Sequence, residues 1–255
     1  MACWHRWVRG VGAVLLPLAI WELVSRTVLN AVLIPPPTVV SLAAWEMLQS
    51  GELFVHIMVS LRRIFVGFAL GSTVGIAIGV LAAWNRLVWD LVRPLVAVCS
   101  AVPPVALIPL AMTWFGIDET ARLFLITYLA AVLMLPNAMS GVRNIAPIRI
   151  RAARSLGARS KQIYLSVMLP DAFPFILTGL RVTLGFCFMV VVAAEMIGAN
   201  SGVGYVIMQS RHYAMTTKMF VGILLLGLMG IAFDALFRRL LATSLPRFAV
   251  EKRTS

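Results

Sequence analysis

The sequence predicts an all-α integral membrane protein with six transmembrane helices. Its mean hydropathy is +0.94 and only 13% of its 255 residues are charged, about half the charged fraction of a soluble globular domain. Its apolar runs reach the roughly 20 residues that a helix needs to cross a bilayer. These runs are continuous rather than alternating, which argues against a membrane β-barrel.

Six segments are predicted to cross the membrane. They are 11–29, 58–84, 92–113, 120–141, 175–198 and 219–242. The first segment follows a basic N-terminus, as in a signal peptide, but no small-x-small cleavage site ends it. Glu22 and Arg26 follow instead, one helical turn apart, and we expect them to form an ion pair. The first segment is therefore predicted to remain as a transmembrane helix.

The distribution of basic residues predicts the orientation of the chain. With both termini in the cytoplasm, sixteen of the 22 Lys and Arg residues lie on the inner side and six on the outer side. This agrees with the excess of Lys and Arg that membrane proteins carry on their cytoplasmic side. The same asymmetry accounts for most of the net charge of +12, which in a soluble protein would suggest nucleic-acid binding. The predicted partner is the lipid bilayer and not nucleic acid.

The sequence contains no recognisable catalytic motif. It has no G-x-x-x-x-G-K-[ST] loop, so it is not predicted to bind ATP in the P-loop manner. Its three histidines are far apart, and no nucleophile elbow occurs. Cys3, Cys99 and Cys187 form neither a metal-binding spacing nor an evident disulfide framework. We therefore expect that this chain is not an enzyme and binds neither a metal ion nor a cofactor.

Two glycine patterns predict close helix contacts and a turn. Glycines recur every four residues in the second predicted span, at Gly67, Gly71, Gly75 and Gly79. They share one helix face and allow a neighbouring helix to approach closely; packing within the subunit is favoured over a dimer seam. The sequence GANSGVG (198–204) follows the fifth span with no strand before it, which predicts a turn rather than a phosphate cradle.

The most polar internal segment, residues 149–175, carries five basic side chains before its first acid, Asp171. Its apolar residues fall at helical spacing on either side of Gly157, which predicts two short helices joined by a bend. Ser155 and Ser160 are suited to capping these helices, and Leu169-Pro170 is predicted to end the second one. The alternative is a basic loop attracted to anionic lipid headgroups.

The spacing within this segment resembles the EAA loop of ABC-importer permeases. Ala152-Ala153, three residues, Gly157, eleven residues and Leu169-Pro170 follow that motif, although Arg151 stands where it usually has Glu and Val167 where it often has Ile. Further segments are similar to permeases of the nitrate/sulfonate/taurine group, and taurine permeases match the pattern best. They include PPPTVV (35–40), SLRRIFVGFALGSTVGIAIG (60–79), PPVALIPLAMTWFGI (103–117), LTGLR (177–181) and VAAEMIGANSGVGY (192–205).

The resemblance implies a type I ABC-importer permease fold in the bacterial inner membrane, with a single permease domain over 1–255. Its core would span about 58–245 and its cytoplasmic coupling loop about 143–173. A second copy of the chain, two cytoplasmic ATPase subunits that bind ATP and Mg, and an external substrate-binding protein are the implied partners. The implied ATPase-coupling residues are Ala152, Ala153, Arg154, Ser155, Leu156, Gly157, Ala158, Arg159, Leu169 and Pro170.

The third predicted span is the favoured lining of the translocation pathway, because three prolines interrupt it. Each proline removes a helical hydrogen bond, and irregular backbone survives at membrane depth only where protein buries it or a cavity hydrates it. A purely structural kink is the alternative. The candidate pathway or gate residues are Pro103, Pro104, Pro109, Met112, Thr113, Trp114, Phe115, Glu195 and Asn200.

Two acidic residues in predicted spans have proposed partners. Glu195 near the outer end of the fifth span is a functional candidate, expected to pair with a basic residue of the binding protein or with Arg211. The alternative is a helix-end acid that reaches interfacial water. Asp234 lies four residues before Arg238 and is expected to form a helical ion pair with it.

A stand-alone secondary transporter or channel is the rival function from another class. Such transporters commonly show internal repeats with paired broken helices, and the sequence has no second copy of its proline-rich segment. The resemblance to the nitrate/sulfonate/taurine group implies a small anionic or zwitterionic substrate. On that resemblance alone, taurine or another aliphatic sulfonate is favoured over nitrate, bicarbonate or another small organic solute.

Overall fold

The computed structural model describes residues 2–27 and 33–244, and these residues are almost entirely helical. The helices are α1 (Ala2–Thr27), α2 (Pro37–Gln49), α3 (Glu52–Trp84), α4 (Arg86–Ala101), α5 (Ile108–Phe115), α6 (Glu119–Arg143), α7 (Pro147–Ser155), α8 (Ser160–Ile163), α9 (Leu169–Met196), α10 (Val203–His212) and α11 (Thr216–Ser244). A 3-10 turn (Pro104–Leu107) precedes α5, and a π-helical turn (Tyr164–Met168) joins α8 to α9.

Four helical segments of the described chain are long and apolar enough to cross a membrane. They are Glu52–Trp84, Glu119–Arg143, Ser160–Met196 and Thr216–Leu240. A fifth candidate is the broken pair Arg86–Ala101 and Pro104–Phe115, whose axes meet at 85°. These five correspond to the second through sixth predicted spans. The predicted total of six is not confirmed, because α1 is not among the segments that qualify.

The centre of the fold is a close pair of parallel helices, α3 and α6. A Cβ atom added to Gly67 would lie 2.7 Å from Ile126 Cβ, and one added to Gly79 would lie 2.9 Å from Ala138 Cβ. The contact positions advance together along both helices, so the two helices run in the same direction. Any larger side chain at these glycines would force the helices apart. The predicted packing role of the glycines within the subunit is therefore confirmed.

Helix α9 runs antiparallel to α6 and completes the core. Ala172 and Ile176 pack near its start against Met134 and Ala138 of α6, and Val191 and Ala194 belong to the larger buried cluster near its other end. The polar segment 143–173, for which coupling to an ATPase is predicted, follows the C-terminus of α6, whereas Glu119 and Glu195 lie at the opposite end of the bundle. The 25 residues of α6 separate the two ends by about 37 Å.

The prediction that Leu169-Pro170 ends the second short helix is wrong. The helix that starts at Ser160 continues through a π-helical turn into α9 and does not end before Met196. Pro170 lies two residues after the π-helical turn Tyr164–Met168, where the regular i→i−4 hydrogen-bond pattern is already interrupted. The coupling segment is therefore continuous with a membrane-spanning helix.

Candidate functional site

The polar segment after α6 forms the predicted pair of short helices with a bend at Gly157. Gly157 has φ = +80°, a left-handed conformation that side chains with a Cβ rarely adopt. The Gly157 N–H donates to the Arg154 carbonyl at 2.9 Å, and the Ala158 N–H donates to the Ala153 carbonyl at 3.0 Å. This pair of hydrogen bonds is a Schellman motif, which closes the C-terminus of α7.

The predicted capping by serine side chains is wrong. The N-cap of α8 is Arg159, whose backbone N–H donates to the Gln162 side-chain oxygen at 2.8 Å. The Ser155 hydroxyl donates back to the Arg151 carbonyl within α7. The bend therefore depends on the glycine and on backbone hydrogen bonds.

The surface of this segment combines one exposed apolar side chain with several basic ones. Leu156 is 88% exposed beside the bend, and Arg151, Arg154 and Arg159 are exposed around it. Arg149 forms an ion pair with Asp171 in the first turn of α9. An apolar tip within a basic rim is suited to an apolar groove bordered by acidic side chains.

The inner part of the coupling segment is attached to α3. The Tyr164 hydroxyl donates to the Val80 carbonyl at 2.5 Å, and the ring centroids of Tyr164 and Trp84 are 4.4 Å apart. Tyr164 itself is buried. The π-helical turn that joins α8 to α9 is therefore bonded directly to α3.

The proline-rich segment breaks the third span as predicted. Pro103 lies at the break between α4 and the 3-10 turn, Pro104 starts that turn, and Pro109 lies in the first turn of α5. The Thr113 hydroxyl bonds the Pro109 carbonyl at 2.9 Å. No residue of α4 is fully buried, but α4 packs through half-buried side chains on Ala82, Leu135 and Met139, and the Tyr128 hydroxyl donates to the Cys99 carbonyl at 2.9 Å.

The other predicted pathway residues lie in two places near one end of the bundle. Trp114 and Phe115 at the end of α5 are exposed by 61% and 41%, and Phe115 packs on Phe124 of α6 at 5.1 Å between ring centroids. Met112 is half-buried, and Asn200 is exposed in the turn between α9 and α10. These side chains are available to line a pathway, whereas Glu195 is not.

Glu195 is 1% exposed, and its partners differ from those expected. Its carboxylate pairs with Arg63 of α3 at 2.7 Å and accepts hydrogen bonds from the Ser60 hydroxyl at 2.8 Å and the Gly204 N–H at 2.9 Å. The expected pairing with Arg211 is therefore wrong. Because these donors surround the carboxylate, it does not reach water or an external partner.

Arg63 links three segments of the chain. Besides Glu195, its guanidinium binds the Glu119 carboxylate at the start of α6, with a 2.9 Å bond from Nε. It also donates to the Ser201 carbonyl in the α9–α10 turn at 2.6 Å. A second arginine, Arg122, donates to the Gly198 carbonyl of the same turn. We call Arg63, Glu119, Arg122 and Glu195 the ion cluster.

Sequence reasoning missed the role of Arg63. Its signal was present, because SLRRIFVG places two arginines within an apolar run, and ionisable residues inside a span are costly and usually functional.

The expected Glu22–Arg26 and Asp234–Arg238 ion pairs are both confirmed, at 2.6 and 3.0 Å. Asp234 also accepts a hydrogen bond from Arg181 of α9. Among the described residues, no three His, Cys, Asp or Glu side chains are placed to share a metal ion.

The family model for the inner membrane component of binding-protein-dependent transport systems matches residues 75–243 of this chain. The chain is also 34% identical over 237 residues to the aliphatic sulfonates transport permease protein SsuC of Bacillus subtilis (strain 168), covering 92% of this chain and 86% of that protein. The chain belongs to this permease family. It is an ABC-importer permease of the nitrate/sulfonate/taurine group.

Two further comparisons support this family assignment. The taurine transport system permease protein TauC of Escherichia coli (strain K12) is 32% identical over 229 residues, covering 86% of this permease and 83% of TauC. A solved amino acid ABC transporter superimposes with a TM-score of 0.65 at 18% identity, covering 80% of this chain and 97% of that chain. The solved structure supports the ABC-importer permease fold alone, and membership of the family makes the chain a membrane permease whose ATP hydrolysis belongs to a separate ATPase.

Proposed function

We propose that this permease imports a small sulfonate and is coupled to a cytoplasmic ATPase through the segment 143–173. The observation that carries the proposal is the bend at Gly157, which presents Leu156 at 88% exposure beside exposed arginines. Leu156 would enter an apolar groove of the ATPase, and Arg154 and Arg159 would pair with acids at its rim. The other residues assigned to coupling hold this surface in place: Ala152, Ala153, Ser155, Gly157, Ala158, Leu169 and Pro170.

The connection of this segment to the spans explains how ATP binding would drive transport. Helix α8 continues into α9, and the π-helical turn between them is bonded to α3 through Tyr164 and Val80. When the ATPase dimer closes, movement of α8 would be transmitted to α9 and α3 as rigid bodies and would alternate access to the pathway. ATP and Mg would be bound by the ATPase alone, and this chain would bind no cofactor.

The proposed assembly contains two copies of this chain, two ATPase subunits and one external binding protein, in the inner membrane with both termini cytoplasmic. One copy offers at most five qualifying spans within the described residues, and two copies would enclose the pathway between them. The pathway would be lined near its outer end by the proline-rich segment 103–115 and Asn200. The mass of the purified complex tests this stoichiometry, and one copy of this chain, or a second and different permease chain, would contradict it.

The favoured substrate is taurine or a related aliphatic sulfonate. The support is the similarity to SsuC and TauC, whose names specify aliphatic sulfonates and taurine. The test is uptake of radiolabelled taurine by proteoliposomes that contain this permease, its ATPase and its binding protein. We expect ATP-dependent uptake that excess alkanesulfonate inhibits. Uptake that ignores sulfonates but is inhibited by nitrate or bicarbonate would overturn the substrate and leave the importer intact.

A further inference from the structure

The structure assigns Arg63, Arg122 and Glu195 a positioning role. They hold the α9–α10 turn, residues 197–202, as the stationary side of the outer gate. The movable part is the end of the broken span, which meets the turn where Ile117 touches Gly198. This inference rests on the proposed function, because it concerns a gate in the same translocation pathway. None of the three charged residues would contact the substrate.

The turn is held from several sides by buried polar groups. Arg63 donates to the Ser201 carbonyl at 2.6 Å, and Arg122 donates to the Gly198 carbonyl. The Gly202 N–H donates to His56 Nδ1 at 3.1 Å. Gly202 lies so close to the Glu195 carboxylate that a Cβ atom would collide with it. These contacts therefore fix the position of the turn relative to α3 and α6.

The ion cluster is balanced in charge, with two arginines and two glutamates. The side chains of Arg63 and Glu195 are 3% and 0% exposed, so removing either would leave an uncompensated charge in a buried site. A buried ion pair is weak evidence for stability in itself, since apolar residues of similar volume often stabilise a fold as well. The cluster also fixes the position of the turn, because Arg63 and Arg122 donate hydrogen bonds to backbone carbonyls of Ser201 and Gly198.

The contact between the turn and the broken span is close and specific. Gly198 has φ = +70°, and a Cβ atom built on it would collide with Ile117 Cγ2. Ile117 itself is 68% exposed, so little other than this contact restrains its side chain. It follows α5 directly, and movement of the exposed end of α5 would therefore separate Ile117 from Gly198.

The two sides of this contact differ in how firmly they are held. The turn is bonded to the buried arginines of α3 and α6. Helix α5 is anchored in the main buried cluster by Ile108 and Ala111, whereas Trp114 and Ile117, which follow these anchors, are exposed by 61% and 68%. The gate should therefore open by movement of the segment after Ala111 away from a stationary turn. Since a binding protein that stimulates hydrolysis favours the outward-open state, weakening the closed contact should mimic the bound binding protein.

The test measures ATP hydrolysis by the full complex in proteoliposomes without the binding protein. We expect Gly198→Ala to raise this hydrolysis about tenfold, because its Cβ displaces Ile117 and shifts the gate equilibrium toward the open state. In the Gly198→Ala background, Ile117→Ala should return hydrolysis to within about twofold of the wild type, since it vacates the space that the new Cβ needs. Ile117→Ala alone should raise hydrolysis about threefold, because the closed contact loses area.

Gly51→Ala is the matched control. Gly51 has φ = +78° and nothing within 4 Å of an added Cβ, so it reproduces the backbone strain without the collision. Equal effects of Gly51→Ala and Gly198→Ala, or failure of Ile117→Ala to suppress Gly198→Ala, would overturn the inference. If Gly198→Ala does not reach the membrane, the inference is tested with the single variant Ile117→Ala. Hydrolysis by Ile117→Ala at the wild-type rate would then overturn the inference. A wild-type complex that the binding protein does not stimulate would overturn the proposed function as well.

Discussion

The two ends of the bundle hold their functional segments in opposite ways. At the ion cluster, side chains from α3, α6 and α9 meet in a buried site, and Glu195 is 1% exposed. At the coupling segment, the bend at Gly157 depends on backbone hydrogen bonds, and the side chains around it are exposed. Sensitivity to mutation should therefore depend on charge and burial at one end and on backbone conformation at the other.

The largest expected effect is at the buried end. Glu195→Gln leaves Arg63 without its buried counter-charge, and breaking a buried ion pair typically costs about 3–5 kcal/mol. We expect the variant to lose most of its membrane abundance and its thermal stability in detergent. Glu119→Gln makes the same chemical change against the same arginine, but Glu119 is 46% exposed. It should lose no more than about 1 kcal/mol, and equal losses from both variants would contradict the comparison.

At the coupling end, Gly157→Val should abolish transport while leaving the protein in the membrane. A β-branched residue at φ = +80° costs about 1–3 kcal/mol of local strain, which would reorient α7 against α8 without unfolding the spans. Uptake, membrane abundance and co-purification of the ATPase would be measured together. Gly51→Val is the control, since φ is +78° there and the added Cβ also meets open space. It should retain transport, and normal transport by Gly157→Val would mean that the bend is not a coupling element.

A smaller effect is expected from Tyr164→Phe, which removes the hydroxyl that donates to the Val80 carbonyl. A hydrogen bond of this kind contributes about 0.5–1.5 kcal/mol, and the ring contact with Trp84 remains. We expect normal abundance and ATPase binding with a several-fold lower ratio of uptake to ATP hydrolysis, because α8 is less firmly tied to α3. An unchanged ratio would exclude this hydrogen bond from the transmission of movement.

The smallest expected effect is that of Arg159→Ala. Arg159 is exposed, and a solvated ion pair at the rim of an ATPase groove contributes less than about 1 kcal/mol. We expect most of the transport to remain and the residual loss to shrink at high salt, since screening already weakens such a pair. Loss of transport comparable to that of Gly157→Val would reverse the relative importance of charge and bend.

The sequence predicted those features whose cause is local. The bend at Gly157, the break at Pro103 and the glycine face of α3 each follow from the conformational or steric properties of one residue type. The continuity of the helix through Pro170 was missed because a proline inside a helix usually ends or kinks it. The π-helical turn that precedes Pro170 has no sequence signal of comparable strength.

The ion cluster was harder to predict because its partners are distant in the sequence. Arg63 and Glu195 are 132 residues apart, and nothing local to Glu195 distinguishes Arg63 from Arg211 as its partner. Sequence reasoning identified Glu195 as a residue of interest because it is an acid near the end of an apolar span. The tertiary arrangement of α3 beside α9 was needed to show that it is buried.

The central claim is that the exposed tip of the coupling segment contacts the ATPase, and crosslinking tests it most directly. A photoactivatable amino acid would replace Leu156, which is 88% exposed, and in a control Leu228, which is 64% exposed in the apolar span α11. Both variants would be irradiated in membranes that contain the complete complex. We predict a covalent product with the ATPase from position 156 and none from position 228. Reaction of position 156 with lipid alone would contradict the account and favour a basic loop that lies on the membrane surface.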